Sequence, residues 1–343
     1  MSTADNTIRI LTGPDVAGLL RHRRRELVDV IRTAYESHER GLTVLPHSSF
    51  LRFPSSNNRI IALPALLTDD ASLAGIKWIA SFPSNIAAGI ERASAAMVLN
   101  STENGRPYCF MEGSVVSAMR TAASAALAAL TIGPSNPDIL SVIGCGLINY
   151  ETCRFLTEIV PSIRAIYLYD VAPERAAIFA GRLGADWEGE IVTLDSVDAA
   201  LEAARLISIA TTAVTPYIGS ANLQPAATVL HISLRDLSPQ FIRHAVNVVD
   251  DRSHVEREGT SIDLAARDGL GGSAVFCTLG ALLNNATVLP DNEAPVVFSP
   301  FGLGVLDIAV ANYAYEMASG QNIGLLLPDF APRPWHAPES SRM

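Results

Sequence analysis

Along residues 139–170 the hydrophobic pattern changes period twice. Ile139–Ile143 is apolar but for Ser141, the stretch from 147 to 160 carries apolar residues at helical spacing, and Ile166-Tyr167-Leu168-Tyr169 is strand-like again. The alternation continues over 174–183, 191–194, 197–204, 206–210, 228–234 and 245–249. Strand and helix in strict turn predict an α/β fold with a doubly wound, mostly parallel sheet covered on both faces. Upstream the pattern differs. Residues 14–39 predict one helix, with Val16, Leu19, Leu20, Leu27, Val30, Ile31, Ala34 and Tyr35 on one face. The run Arg21, Arg23, Arg24 and Arg25 falls mostly on its other, solvated side. The turn-rich stretch 45–54 predicts short strands and loops, and 60–67 and 74–81 predict strands. An Ala-rich helix over 115–131 has side chains small enough for close packing, and a closing helix spans 305–318. The Gly-Pro-Ser-Asn-Pro break at 133–137 sets a boundary, giving one domain of 1–132 with 311–343 and another of 133–310. Pro328, Pro332, Pro334 and Pro338 make the last 16 residues an irregular tail, and there are no internal repeats.

Composition narrows the class. With 343 residues, 49% hydrophobic and 17% charged, the chain can bury large cores and is not disordered. Its net charge of −10 argues against nucleic acid or an anionic membrane as partner. No apolar run approaches the ~20 residues needed to span a bilayer. Asp5 and Asp15, without a leading apolar core, argue against a secretion or transit signal, so a cytoplasmic protein is expected. Cys109, Cys145, Cys153 and Cys277 form no CxxC pair and no metal-ligand spacing, which predicts reduced, buried thiols and no metal.

The turn after the first strand of the alternating region reads Gly144-Cys145-Gly146. The first glycine allows a tight turn, and the second lets backbone approach a pyrophosphate. The following helix then presents free N–H groups and its positive dipole end. Asp170 ends the next strand, 26 residues after Gly144, at the spacing of a carboxylate that accepts from ribose hydroxyls. This order predicts a Rossmann-type dinucleotide site, and the carboxylate favours NAD over NADP because it would repel a 2′-phosphate. Asn149 replaces the third small residue of the fingerprint, which leaves close helix–strand packing there open. Arg175 is read as a solvated residue of the next helix.

Four further segments carry a family resemblance: Gly75-Ile76-Lys77 with Phe82-Pro83-Ser84-Asn85; Met119-Arg120-Thr121-Ala122-Ala123; Ala210-Thr211-Thr212; and Ser233-Leu234-Arg235-Asp236-Leu237-Ser238-Pro239. In order and spacing the chain resembles the ornithine cyclodeaminase/μ-crystallin family over nearly its whole length. The runs 45–54, Arg59-Ile-Ile-Ala-Leu-Pro64 and Gly144-Cys-Gly-Leu-Ile-Asn149 look most like the branch of dehydrogenases in 2,3-diaminopropionate biosynthesis, which act on N-(2-amino-2-carboxyethyl)-L-glutamate. The resemblance implies a homodimer with the active site in a cleft between an α+β substrate-binding and dimerisation domain, 1–132 with 311–343, and an NAD-binding Rossmann domain, 133–310. It implies that Arg52 and Lys77 meet substrate carboxylate, that Arg120 lies near substrate and cofactor, and that Asp236 is the catalytic acid. Lys77 and Asp236 are thereby the catalytic pair. Gly144, Gly146, Leu147, Ile148, Asn149, Asp170, Thr211 and the segment from Leu230 to Ser233 match cofactor contacts. Arg92 stands where ornithine cyclodeaminases carry a cofactor-binding threonine, and their Asp-Cys-Pro-Gly-Lys run is here Asp236-Leu237-Ser238-Pro239-Gln240. Both departures turn away from ornithine as substrate.

The activity implied is NAD-dependent oxidation of an amino-acid-derived small molecule to L-2,3-diaminopropionate and 2-oxoglutarate, feeding a siderophore or peptide antibiotic. The alternatives are an ornithine cyclodeaminase, a ketimine reductase or alanine dehydrogenase, and a non-catalytic binding protein of the μ-crystallin type. Plain structural roles compete at each residue. Arg52, among apolar and turn residues, needs an anion, and that anion is either substrate or a structural salt-bridge partner. The same choice holds for Arg120. Lys77, in an apolar strand, either snorkels to the surface or faces a cleft. Asp236 is either catalytic or a loop and capping residue. His47 either touches substrate or bonds within its turn, and His231 reads as a satisfied core histidine.

Overall fold

A computed structural model describes residues 6–219, 222–257 and 259–332. Asp5 and the end of the proline-rich tail, Pro334 and Pro338 included, lie outside the described residues. The chain divides into two compact units, Met1–His22 with Val44–Val116 and Asp307–Met343, and Arg23–Thr43 with Ser117–Leu306.

In the first unit one mainly antiparallel sheet runs in the order Leu325–Leu327, Ile8–Leu11, Pro107–Glu112, Ala93–Asn100, Leu73–Ser81, Arg59–Leu67, Thr43–Val44, with Ser49–Arg52 also on Arg59–Leu67. Ile8–Leu11 pairs parallel with Pro107–Glu112. Strand alternation sorts the faces: Leu73, Lys77 and Ser81 are buried, while Trp78 is 47% exposed. The helix Gly304–Gln321 closes on the buried face. A Cβ added to Gly75 would sit 3.2 Å from Ile308 Cγ2 and 2.6 Å from the Val98 carbonyl oxygen, so only glycine lets the helix come this near.

The second unit holds the predicted parallel sheet. Its order is Glu190–Thr193, Ala165–Tyr169, Ile139–Ile143, Leu206–Ile209, Thr228–His231, Val296–Ser299, Val246–Val249, Cys277–Thr278. Each pairing in it is parallel. The first five strands take the order 3-2-1-4-5, which makes the unit a Rossmann-type fold.

Four sequence expectations change. The helix over 14–39 is two, Gly13–Leu20 and Arg24–Glu39. Thr12 and Asp15 cap the first reciprocally. Adjacent cations at 21–25 disfavour a continuous helix through like-charge neighbours, and the chain passes from one unit to the other between residues 22 and 23. The arginine run is also not wholly solvated. Arg24 is buried, with Nη1 donating to Glu158 Oε2 at 2.6 Å and the guanidinium over the Phe155 ring. Third, the boundary expected at 133 falls at 117, and Arg24–Glu39 joins the second unit. Buried polar ties explain this: the Tyr35 hydroxyl bonds Ser124 Oγ at 2.8 Å, and the Thr228 hydroxyl donates to the Ile132 carbonyl at 3.0 Å. Fourth, the helix Ser114–Ile132 is long and apolar enough, by length and composition, to cross a membrane, but 67% of that stretch is buried, as in the core helix of a globular fold. The four cysteines are buried and free. Burial pushes the thiols of Cys109 and Cys145 up to about 12 and that of Cys277 to about 11, which leaves them protonated and unreactive.

Candidate active site

The strand Ile139–Ile143 ends on Gly144, whose φ of 94° suits glycine alone. A Cβ there would lie 2.4 Å from the Ala210 carbonyl oxygen, just past the neighbouring strand Leu206–Ile209. The turn thus sits where the strand order reverses direction, the position at which open α/β sheets bind ligands. Gly146 is the N-cap of the helix Leu147–Ile159, with no capping side chain. The nearest atom to a Cβ at Gly146 would be Arg175 Nη2, 3.8 Å away, so space remains above the first-turn N–H groups of Leu147, Ile148 and Asn149. This cradle fits a pyrophosphate.

Asn149 answers the question its sequence position left open. It is fully buried, and Nδ2 donates to the carbonyls of Ile143 at 3.0 Å and Gly144 at 2.7 Å, while Oδ1 accepts from the Ser208 hydroxyl at 2.7 Å. The amide therefore stitches the turn to both central strands. Its side chain is committed to that task, which leaves only its backbone for a cofactor.

Asp170 is anchored beside the turn. One carboxylate oxygen accepts the Cys145 N–H at 2.7 Å and the other the Ala172 N–H at 3.0 Å, each keeping a lone pair for a further donor. Arg175 is not simply a solvated helix residue. Its Nε lies 3.7 Å from Asp170 and its guanidinium borders Gly146.

Asp236 is at the centre of a second cluster. It follows the strand Thr228–His231 and is fully buried. The hydroxyls of Thr211 and Ser233 donate to its carboxylate, and His231 Nε2 lies 3.2 Å from Oδ2. The other ring nitrogen of His231 is 3.1 Å from Ser299 Oγ, so the histidine is a satisfied core residue that also orients Asp236. The Asp236 carbonyl accepts the N–H groups of Tyr217 and Ile218 at 3.0 and 2.9 Å. Leu234, buried at φ 70°, adds a strained residue to this loop. Burial alone would raise the Asp236 carboxyl, but bonds and charge from His231, then Ser233 and Thr211, outweigh it and hold the group below the usual carboxylate range. Near neutral pH such a group is ionised. An ionised carboxylate can accept a proton, and once it has done so it can act as an acid. Thr211 and Ser233, expected at the cofactor, turn their hydroxyls to this carboxylate.

Arg120 extends from the helix Ser114–Ile132 against Gly302, where a Cβ would lie 2.9 and 3.0 Å from the two terminal guanidinium nitrogens. Buried Asp250 fixes that loop by accepting the N–H groups of Phe301 at 2.9 Å, Gly302 at 2.6 Å and Asp251 at 2.9 Å. The next residue, Asp251, lies 2.9 Å from His254 Nδ1 and 3.1 Å from His38 Nε2. Desolvation raises its carboxyl, but bonds to His254, His38 and Ser253 prevail and set it far below the ordinary value. A carboxyl depressed in the folded state stabilises above its unfolded pKa of ~3.9 and loses that contribution as pH falls towards the folded value. Asp251→Ala is therefore expected to lower the urea midpoint at neutral pH, with a smaller gap from wild type at about pH 2, where part of the linked stabilisation has been lost. Equal gaps at both pH values would dismiss this linkage.

In the first unit Lys77 neither snorkels nor stands open. Its Nζ lies 2.7 Å from Asp307 Oδ2, with the two side chains 3% and 0% exposed. Asp307 went unmarked in the sequence, although an acid within the apolar run Gly-Val-Leu-Asp-Ile-Ala at 304–309 is a signal that could have found it. Arg52 is exposed and stacks on Phe50, 4.7 Å from the ring centroid, so the desolvation argument for a bound anion does not apply to it. Arg92 is half-buried, its carbonyl accepting the Phe82 N–H at 2.8 Å, and burial lowers its pKa. Among the described residues no group of three His, Cys, Asp or Glu side chains is arranged to hold a metal.

A Rossmann-type unit with an uncapped glycine turn, an anchored acid and a buried carboxylate cluster defines a dinucleotide-binding class of protein. Residues 9–322 match the ornithine cyclodeaminase/mu-crystallin family, and the chain belongs to it. It is 30% identical over 313 residues to N-((2S)-2-amino-2-carboxyethyl)-L-glutamate dehydrogenase of Staphylococcus aureus, covering 88% of this chain and 92% of that one. Alanine dehydrogenase of Archaeoglobus fulgidus is 27% identical, covering 92% and 96%. Among solved structures, Delta(1)-pyrroline-2-carboxylate reductase of Thermococcus litoralis superposes with a TM-score of 0.88 at 23% identity, over 93% of this chain and 99% of that one, and shares the fold.

Proposed function

We propose that this protein is an NAD-dependent dehydrogenase that converts N-(2-amino-2-carboxyethyl)-L-glutamate and water to L-2,3-diaminopropionate and 2-oxoglutarate. The observation that carries the reading is the 30% identity to the Staphylococcus aureus enzyme across nearly both chains, in company with the Gly144–Asp170 unit. Bound at that unit, NAD supplies the acceptor for the hydride on the α-carbon of the glutamate portion. The protein's residues do the rest. Lys77, Arg52 and Arg120 hold carboxylates, with Arg120 also beside the cofactor, as is Arg92. Asp236, ionised, takes the proton that must leave the substrate nitrogen, releases it to solvent, and then takes one from the water that adds to the resulting imine. Collapse of that adduct breaks the carbon–nitrogen bond and returns a proton to the departing amine. The same proposal includes a cytoplasmic homodimer, to which the exposed Trp78 and Phe110 of the first sheet offer an apolar face, and a product used in a siderophore or peptide antibiotic.

The test is a panel of synthetic N-(2-amino-2-carboxyethyl)-L-glutamate, ornithine, alanine and, with NADH, a cyclic imino acid. Net NADH with diaminopropionate from the first supports the reading. Turnover confined to any of the others rejects it.

Cofactor choice gives a second test. Asp170 offers two charge-assisted bonds to ribose, at stake for ~1.5–3 kcal/mol each. Wild type is expected to bind NAD more tightly than NADP, and Asp170→Ala to narrow the gap, since it weakens NAD and leaves Arg175 to meet a 2′-phosphate. Calorimetric titration with each cofactor measures both. Equal affinities in the wild type would contradict the assignment.

A further inference from the structure

Within the second unit the strands Val246–Val249 and Val296–Ser299 pair in parallel, with Val249 opposite Ser299. Both run out into loops at the carboxyl edge of the sheet, where open α/β sheets bind ligands. Pro300 has no N–H, so the first two donors past the second strand are those of Phe301 and Gly302. Both go to Asp250, whose Oδ1 also accepts the Asp251 N–H, so two carboxyl oxygens serve three backbone donors. A carboxyl only 1% exposed is a costly fastener, and burial pushes it up from its ordinary value. What it supplies in return is a fixed frame for the loop. The segment so held meets both functional clusters. At Ser299 it meets His231, which orients Asp236, and at Gly302 it meets Arg120. A Cβ on Gly302 would lie 2.9 Å from Nη1, 3.0 Å from Nη2 and 3.4 Å from Cζ, so the outer edge of the guanidinium rests against the bare glycine.

We propose that Asp250 is a positioning residue of the active site. By holding the Phe301 and Gly302 N–H groups it sets where the Arg120 guanidinium stands, and with it the affinity for the anionic groups of substrate or cofactor. The inference rests on the reading above that Arg120 holds a substrate carboxylate beside the cofactor. Guanidinium bonds to a carboxylate or phosphate are directional, often two parallel N–H donors, so a shift of about 1 Å in the group weakens binding although its charge is unchanged. Asp250 is itself enclosed by protein and acts through Gly302.

Asp250→Asn keeps the volume, but asparagine has a single carbonyl oxygen, and in either orientation its NH2 faces at least one of the three N–H groups. The experiment crosses this variant with Arg120→Gln. It reads the Kd of NAD by calorimetry, KM for N-(2-amino-2-carboxyethyl)-L-glutamate, and Tm, in wild type, both single variants and the double. With Arg120 present, Asp250→Asn is expected to raise Kd or KM roughly 10-fold. With Arg120→Gln the same change should cost under about 2-fold, since the guanidinium it positions is gone. Tm should fall alike in both backgrounds, which separates the grip on the loop from its effect on Arg120. Gly302→Ala sets a methyl where the guanidinium edge lies, and crossed with Arg120→Gln it should show the same coupling, which covers an Asp250→Asn protein that fails to fold. Equal affinity costs in both backgrounds, both affinities unchanged, or loss of folding in both variants would make Asp250 a scaffold residue and overturn the proposal. Wild type that binds NAD without turning over the substrate would overturn the dehydrogenase reading, and the NAD affinities alone would then decide the role of Asp250.

Discussion

Replacing Asp236 with asparagine is expected to lower kcat by about 10²–10⁴-fold while NAD and substrate affinities stay within a few-fold of wild type. The carboxylate is buried, oriented by His231 and bonded by Thr211 and Ser233. Asparagine fills the same volume, and the two hydroxyls can rotate to accept from its amide, so the fold should survive. What is lost is a group able to take a proton. Because the Asp236 carboxyl is held below the usual range, its ionised form persists into acid, and the acid limb of kcat should lie below the ordinary carboxylate range. Arg52→Ala should act differently, raising KM with little change in kcat, because a carboxylate contact is lost alike in ground and transition states. Near-normal kcat in Asp236→Asn, or a protein that no longer folds, would reduce Asp236 to a structural loop residue.

Asp307→Ala is expected to destabilise the protein by about 3–5 kcal/mol, the usual consequence of stranding one partner of a buried ion pair. Lys77 would keep its charge among Met97, Leu99 and the other apolar residues of that face. The double variant Lys77→Met with Asp307→Leu should recover most of the lost stability, since well-packed apolar replacements of buried pairs are often neutral or better. It should not recover substrate binding, because the cation is gone. Urea midpoints and KM values on the same preparations separate the two effects. If Asp307→Ala were as stable as wild type, the pair would not be the buried element described above.

Much of the second unit was legible because its signals are local. The switch from an apolar run to helical spacing and back located 139–170 within about a residue, and Gly144 at φ 94° is a position the spacing alone marked. The first unit was harder to read. Ala93–Asn100 and Pro107–Glu112 lack regular polar alternation, so strands made of Ala-Ser-Ala-Ala-Met-Val and Tyr-Cys-Phe-Met left no period to follow. The break in residues 14–39 follows from which unit each half joins, a tertiary fact without a strong local marker. The site splits in the same way. Motif residues such as Asp170 and Asp236 could be named from sequence, but their partners could not. Asp307, Asp250 and Gly302 come from distant segments, and their roles arise only when the chain brings them to Lys77, to the 299–303 loop and to Arg120. Asn149 shows the reverse case, a motif position whose residue type departs from the fingerprint because hydrogen bonds replace close packing.

The central claim is that hydride leaves the α-carbon of a glutamate portion and that carbon–nitrogen cleavage follows. Substrate carrying deuterium at that carbon tests it most directly. The expected result is one deuterium transferred to the reduced cofactor for each 2-oxoglutarate and each L-2,3-diaminopropionate released, with wild-type enzyme and NAD. Deuterium retained in the amino-acid products, or reduced cofactor formed without 2-oxoglutarate, would contradict it.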